Sequence, residues 1–275
     1  MLTIRNIHKT FGDHTILHGI DLDIAKGSVV VILGPSGSGK TTFLRCLNAL
    51  EMPEAGTITF DGAAPLAIDF ARKPGKKDIL ALRRKSGMVF QHYNLFPHKT
   101  ARENIMEGPV IVQGRSVNEA RDDAQYLLEK VGLADRGEHY PWQLSGGQQQ
   151  RAFLAMTLAQ ETPYLLLDEP TTYLDLNHQI ALMDMMRAQQ EKGTTVITVL
   201  HDLNQAARYC DHLIVLKAGQ LVAEGSPAEV LTPALLADVF AVNAAPYTCP
   251  VSGKPMCIVK ESALEEQAAA AALAE

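Results

Sequence analysis

The chain has 275 residues, 47% of them apolar, and a formal charge of −6. That is enough for one large core or two modest ones, which excludes a largely disordered chain. The acidic balance argues against a general nucleic-acid binder, because such proteins concentrate Lys and Arg to meet phosphates.

Residues 1–33 read as β structure. LTIRNI alternates apolar and polar residues, and IDLDI (Ile20 to Ile24) does so again, each giving one buried and one wet face. MLTIRNIHKTFG lacks the apolar core of a signal peptide, and no run in the chain reaches the ~20 apolar residues that a membrane-crossing helix needs. The chain is therefore expected to stay in the cytoplasm, alone or docked on a partner. Phe11 lies in a loop between the two strands, where an exposed ring could stack on a base or simply pack.

The apolar run Ser28 to Leu33 leads into GPSGSGKT, Gly34 to Thr41, and then into the helix-like TTFLRCLNAL. This strand, Gly-rich loop and helix order is the context a P-loop requires. Glycines let successive backbone N–H groups face a polyphosphate, so Gly34, Pro35, Ser36, Gly37, Ser38, Gly39 and Thr42 are candidate phosphate-cradle residues. Lys40 would reach the β and γ phosphates, and the Thr41 hydroxyl would coordinate Mg²⁺.

GTITFDG (Gly56 to Gly62) reads as another short strand, followed by a polar stretch whose cluster Arg72 to Lys77 with Arg83 to Lys85 reads as a solvated face. The run Gly87 to Phe90 ends in Gln91, whose amide could touch Mg²⁺ or a water and sense nucleotide. Residues 92–143 carry helices, with Ala120, Ala124, Leu127, Leu128 and Val131 at helical spacing. LSGGQ, Leu144 to Gln148, opens a second Gly-rich turn onto a helix. Ser145, Gly146, Gly147 and Gln148 make it another anion-facing helix start, which suggests two copies of the chain sharing a nucleotide.

YLLLDEP, Tyr164 to Pro170, is a buried strand ending in two carboxylates. Asp168 is placed to hold Mg²⁺ through water, and Glu169 to polarise an attacking water. Asp175 sits in the next turn. TTVITVL then delivers His201 at a parallel-strand end, where such sheets place ligands. A hairpin signal follows around Lys217 to Gln220, then ALLADVF and a Pro-rich stretch. The four cysteines, Cys46, Cys210, Cys249 and Cys257, are few and scattered, as in a reducing compartment. Cys249 and Cys257 flank PVSGKPM, a possible turn bringing two thiols together, with no further His or Cys completing a metal set. The Ala-rich end, 262–275, reads as a frayed helix or disorder.

Alternating strands and helices give an α/β fold with a parallel sheet covered on both faces. GPSGSGKT, Gln91, LSGGQ, LLLDEP, Asp175 and His201, in that order, resemble the ATP-binding cassette family of transport ATPases over about residues 1–240. The resemblance implies a P-loop NTPase (RecA-like) core with an N-terminal antiparallel β subdomain and a helical subdomain inserted at about 92–150. Residues 241–275 form a C-terminal extension with a disordered end. It implies ATP and Mg²⁺ as ligands and a head-to-tail homodimer in which Ser145 and Gly147 of one copy close over ATP held by Lys40, Thr41 and Asp168 of the other. Asp175 would link the two sites, His201 would contact the γ-phosphate, and Phe11 matches the adenine-stacking position. The partners implied are integral membrane permease subunits and, through them, an extracytoplasmic solute-binding protein. The location implied is peripheral, on the cytoplasmic side of the inner membrane.

The two halves resemble different importers. EMPEAGTI, FQHYNLFPHKTARENIMEGPVIVQG and KVGLADR are similar to ATPases that serve polar amino acids, while DEPTTYLDLNHQ, VLHDLNQAARYCDHLIVL and the Pro-Val-Ser-Gly tail are similar to those that serve iron siderophores. The seam falls near Gln150 to Pro163. Because permease contacts in the family are made by Gln91 and the helical insertion, polar amino acids are the expected cargo and siderophores the alternative. A soluble cassette ATPase acting on nucleic acid or ribosomes is disfavoured by the single short cassette and the acidic charge. A non-hydrolysing regulator is disfavoured by the intact Glu169 and His201.

Overall fold

The computed structural model describes residues 1–62, 64–90, 95–172 and 174–262. Strands β1 (Leu2–Phe11) and β2 (His14–Ile24) form a long hairpin. Alternation buries Leu2 and Ile4 of β1 and Ile20, Leu22 and Ile24 of β2, and register shifts along the hairpin let Ile7 and Leu17, of the opposite parity, be buried as well. β3 (Val29–Leu33) runs into the Gly-rich loop and α1 (Lys40–Cys46). β4 (Ala55–Phe60) and β5 (Leu66–Asp69) then complete an antiparallel sheet of order β2-β1-β4-β5. The polar stretch after Gly62 thus holds a strand and, beyond it, the helix α2 (Lys76–Arg83). Part of its basic cluster is not merely solvated, since Arg83 donates to the Ala49 carbonyl at 2.9 Å.

β6 (Ser86–Val89) enters a second sheet. The helical part follows as α3 (Ala101–Glu107), one π-helical turn (Gly108–Val112), α4 (Val117–Lys130) and α5 (Gly146–Leu158). Reciprocal caps set the starts of α3 and α4: Thr100 with Glu103, and Ser116 with Glu119. The expected stripe buries Ala120, Ala124, Leu128 and Val131. α5 runs past residue 150 to Leu158.

β7 (Tyr164–Asp168), α6 (Leu176–Glu191), β8 (Thr195–Val199), α7 (Leu203–Tyr209), β9 (His212–Lys217) and β10 (Gln220–Gly225) close the core. The sheet order is β10-β9-β3-β8-β7-β6, parallel except for the β9–β10 hairpin. Both faces of this sheet are covered, which is why β3 and β7 are uninterrupted apolar runs. Val29, Val31 and Leu33 pack with the helices, while Val30 and Ile32 pack with α1 and the antiparallel sheet. β3 therefore sits at the middle of the molecule, and the loop after it is held by both cores.

α8 (Pro227–Val230) and α9 (Pro233–Phe240) lead to β11 (Val242–Thr248) and β12 (Pro255–Ser262), an antiparallel hairpin where the sequence reads only as Pro-rich. Pro246 is tolerated because β11 pairs on one side only, leaving an edge for a residue with no N–H. The expected meeting of thiols does not occur: Cys257 pairs across the hairpin with Pro246, and both Cys249 and Cys257 are free. Among the described residues no helix is long and apolar enough to cross a membrane. Of the end expected to be a frayed helix or disordered, 262–275, Ser262 closes β12, and residues 263–275 lie outside the described residues.

Candidate functional site

The Gly-rich loop takes a shape that side chains would forbid at its start. Gly34 has φ 147°, and a Cβ there would stand 2.1 Å from the Leu216 carbonyl oxygen of β9. Gly39, φ 97°, precedes α1 in the left-handed region. The loop is braced from outside as well, because the Gly219 N–H in the β9–β10 turn donates to the Ser38 carbonyl at 3.1 Å. Lys40 is 5% exposed and folds back on the loop, donating to the Gly34 and Pro35 carbonyls at 2.9 Å each. Burial lowers its ammonium pKa, against the pull of Glu169 and Asp168.

Opposite the loop, β7 delivers its two carboxylates. Asp168 is 1% exposed, accepting from Thr41 Oγ1 at 2.8 Å and pairing with Arg45 at 3.2 Å. Arg45 escaped the sequence reading, although its place four residues after Thr41 puts it on the same helix face. Glu169 has φ 51°, a strained value for a non-glycine residue that turns its side chain out of the strand end. There its Oε1 lies 2.8 Å from His201 Nε2, at the end of β8. Loop, Thr41, Thr42, Glu169, His201 and Ile16 of β2 enclose a pocket of about 390 Å³.

The pocket fits a phosphate chain and its metal. Ser38 Oγ is buried, lines the pocket and has no hydrogen-bond partner, so a donor waits there for an acceptor. Thr41 and Asp168 put two hard oxygens side by side, the ligand type that suits Mg²⁺.

The remaining candidates stand apart. Ser145 and Gly146 are exposed at the start of α5 and do not line the pocket. Ser145 caps that helix, accepting from the Gln148 N–H at 3.3 Å, and Gln148 Oε1 accepts from the Ser145 N–H at 2.9 Å. The Gln148 side chain is thus committed to the cap, which leaves the proton of the exposed Ser145 hydroxyl still able to donate, with Gly146 exposed and Gly147 half-buried beside it. Asp175 caps α6, accepting from the His178 N–H at 3.0 Å, with His178 Nδ1 2.7 Å away. Those contacts, the backbone one first, lower the pKa of its exposed carboxyl. Phe11 is the last residue of β1 rather than a loop residue, 45% exposed, with Lys9 Nζ 4.7 Å above its ring. It stands outside the pocket lining. Gln91 lies outside the described residues.

The family described as "ABC transporter" matches residues 17–172. The chain is 49% identical over 232 residues to the L-cystine import ATP-binding protein TcyC of Bacillus subtilis (strain 168), covering 84% of this chain and 93% of the relative. It is 44% identical over 227 residues to the glutamine transport ATP-binding protein GlnQ of Escherichia coli (strain K12), covering 82% and 92%. Matches of that length run across residues 150–163, so likeness to amino-acid importers does not stop at the seam, and the siderophore reading of the second half gains no support. Among solved structures, the dimeric post-hydrolysis state of the ATP-binding cassette MJ0796 bound to ADP and Pi matches at TM-score 0.74 and 35% identity. It covers 82% of this chain and 99% of that one.

Proposed function

The chain belongs to the ABC transporter family, and from that premise we propose that it is the ATP-hydrolysing subunit of an importer, working as a homodimer with a separate permease whose cargo is a polar amino acid. One observation carries this reading: Lys40, Thr41, Glu169 and His201 line one pocket, with the buried Asp168 hydrogen-bonded to Thr41 just behind it, while the Ser145 helix start lies exposed elsewhere on the same chain. A second copy is what brings such a helix start over the nucleotide.

Each residue then has a distinct task. Lys40, pre-set by two loop carbonyls, meets the phosphates as a buried cation, and the Ser38 hydroxyl and the loop N–H groups donate to the phosphate oxygens. Thr41 and Asp168 hold Mg²⁺, with Arg45 keeping the buried Asp168 carboxylate in place. When bound, Mg²⁺ supplies charge neutralisation to the phosphates. Glu169 takes a proton from the attacking water, and His201 holds the Glu169 carboxylate while reaching for the γ-phosphate. Ser145, Gly146 and Gly147 of the second copy donate to the nucleotide, with the Gln148 cap fixing their geometry. Phe11 stacks on adenine, Gln91 senses the nucleotide, and Asp175 faces the second site. Hydrolysis weakens an interface of which the nucleotide is part, and the permease receives that motion on the cytoplasmic face of the membrane. A solute-binding protein outside delivers cargo to the permease.

The amino-acid cargo rests on the relatives, whose names specify cystine and glutamine. The test is to recover the chain with its permease from detergent-solubilised membranes and to measure uptake in vesicles carrying the pair. ATP-dependent amino-acid uptake is expected. Recovery with a siderophore permease instead would overturn the cargo, and absence of Mg²⁺-dependent phosphate release would overturn the enzyme.

A further inference from the structure

Two glutamines outside the pocket tie the helix after His201 to the loop after Glu169. Gln205 of α7 donates through Nε2 to Gln179 Oε1 of α6 at 2.6 Å. Gln179 in turn donates through its own Nε2 to the Leu174 carbonyl at 2.9 Å and, at 3.4 Å, to that of Thr171. The amide orientation is forced: with its nitrogen spent on two carbonyls, Gln179 has only its oxygen to offer Gln205.

Both ends of this path are stiff. Asp202, next to His201, accepts from the Asn204 and Gln205 N–H groups at 2.8 Å each, fixing the first turn of α7. The C-terminal hairpin grips the same turn, with the Cys257 N–H donating to Asn204 Oδ1 at 2.7 Å and Asn204 Nδ2 donating to the Cys257 carbonyl at 3.3 Å. At the other end, Leu174 is 8% exposed and directly precedes Asp175, the α6 cap.

We infer that Gln205 and Gln179 are positioning residues that make Leu174, and with it the adjoining α6 cap Asp175, move with the first turn of α7, which directly follows His201. The inference rests on the shared-site dimer proposed above. His201 contacts the nucleotide of its own copy, and Asp175 faces the other copy, so the glutamine bridge is the link through which one occupied site conditions the second. It does not touch substrate in either. A single short hydrogen bond between side chains of two different helices has a made and a broken state, which is what a coupling element requires.

The experiment measures phosphate release against ATP concentration for the full-length chain, for Gln205→Met and for Gln179→Glu. Met fills the glutamine volume but cannot donate. Glu keeps the acceptor for Gln205 but loses the donor to Leu174, so the two variants break the path at different joints. Wild type is expected to give a Hill coefficient approaching ~2, the limit for two sites. Both variants should fall toward ~1 with half-saturation changed less than about threefold, and each should keep ATP-dependent dimerisation when combined with Glu169→Gln. An unchanged Hill coefficient in the variants, or hydrolysis without cooperativity in wild type, would overturn the bridge alone. Absence of both hydrolysis and an ATP-dependent dimer in wild type would overturn the dimer reading and the bridge with it.

Discussion

Replacing Glu169 by Gln separates catalysis from folding in one substitution. In the structure Glu169 Oε1 accepts from His201 Nε2 at 2.8 Å. Gln keeps that oxygen and the shape of the side chain, so the contact survives as a neutral hydrogen bond in place of a charge-assisted one, a change of about 1 kcal/mol. What it cannot do is accept a proton. Losing a general base lowers turnover by roughly 10²–10⁴, which at 1.36 kcal/mol per decade is about 2.7–5.4 kcal/mol of barrier. The catalytic loss therefore exceeds the structural one, and the two are read by different instruments. Mg²⁺-dependent phosphate release should collapse, the melting temperature should shift by only a few degrees, and size-exclusion chromatography with MgATP should trap a dimer. Turnover at the wild-type rate would remove Glu169 as the base. A stability loss as large as the activity loss would mean that the residue mainly holds the β7 end together.

Lys40→Ala should weaken nucleotide binding itself, by ~10–100-fold, since a charged hydrogen bond contributes about 1.5–3 kcal/mol. Titration with a fluorescent ATP analogue checks it, and unchanged affinity would contradict the role of the ammonium that bonds Gly34 and Pro35. The cysteines should react in a fixed order. Burial pushes the Cys46 and Cys210 thiols up to about 12, and raises that of Cys257, whereas a hydrogen bond from Ser252 lowers that of the half-exposed Cys249. Because only the thiolate attacks, a disulfide reagent at mildly alkaline pH should label Cys249 first and the other three only on unfolding. Peptide mapping after a short pulse reads this, and early labelling of Cys46 would refute it.

The P-loop was readable because its chemistry is local: strand, glycines, lysine and helix follow one another within a short stretch, and the fold places them as the order implies. Asp168 and Glu169 were readable for the same reason, as charges abruptly ending a fully apolar strand. What the chain order could not reveal is how the pieces meet. The pairing of Arg45 with Asp168 joins residues far apart in sequence, and only the β3–β8–β7 arrangement brings α1 against the end of β7. The Gln179–Gln205 contact is of the same kind. The C-terminal hairpin was missed for a different reason: Pro246 and Pro255 mask its strand signal, and one-sided pairing makes such residues tolerable. Ser145 was legible as a helix start, and its standing apart from the pocket of its own chain agrees with the shared-site dimer that the resemblance implies.

The strand order also has a bearing on how the protein is made. β3 leaves the ribosome early, yet its two neighbours are β8 and β9, and Val29 pairs with Val196. At synthesis rates of roughly 5–20 residues per second, the VVVIL segment waits on the order of ten seconds or more for the strands that bury it. During that interval the most apolar ribbon of the protein has no native partner on either side, and the loop that follows it has neither Leu216 nor Gly219 to lean on. The phosphate cradle is among the first pieces translated and among the last completed.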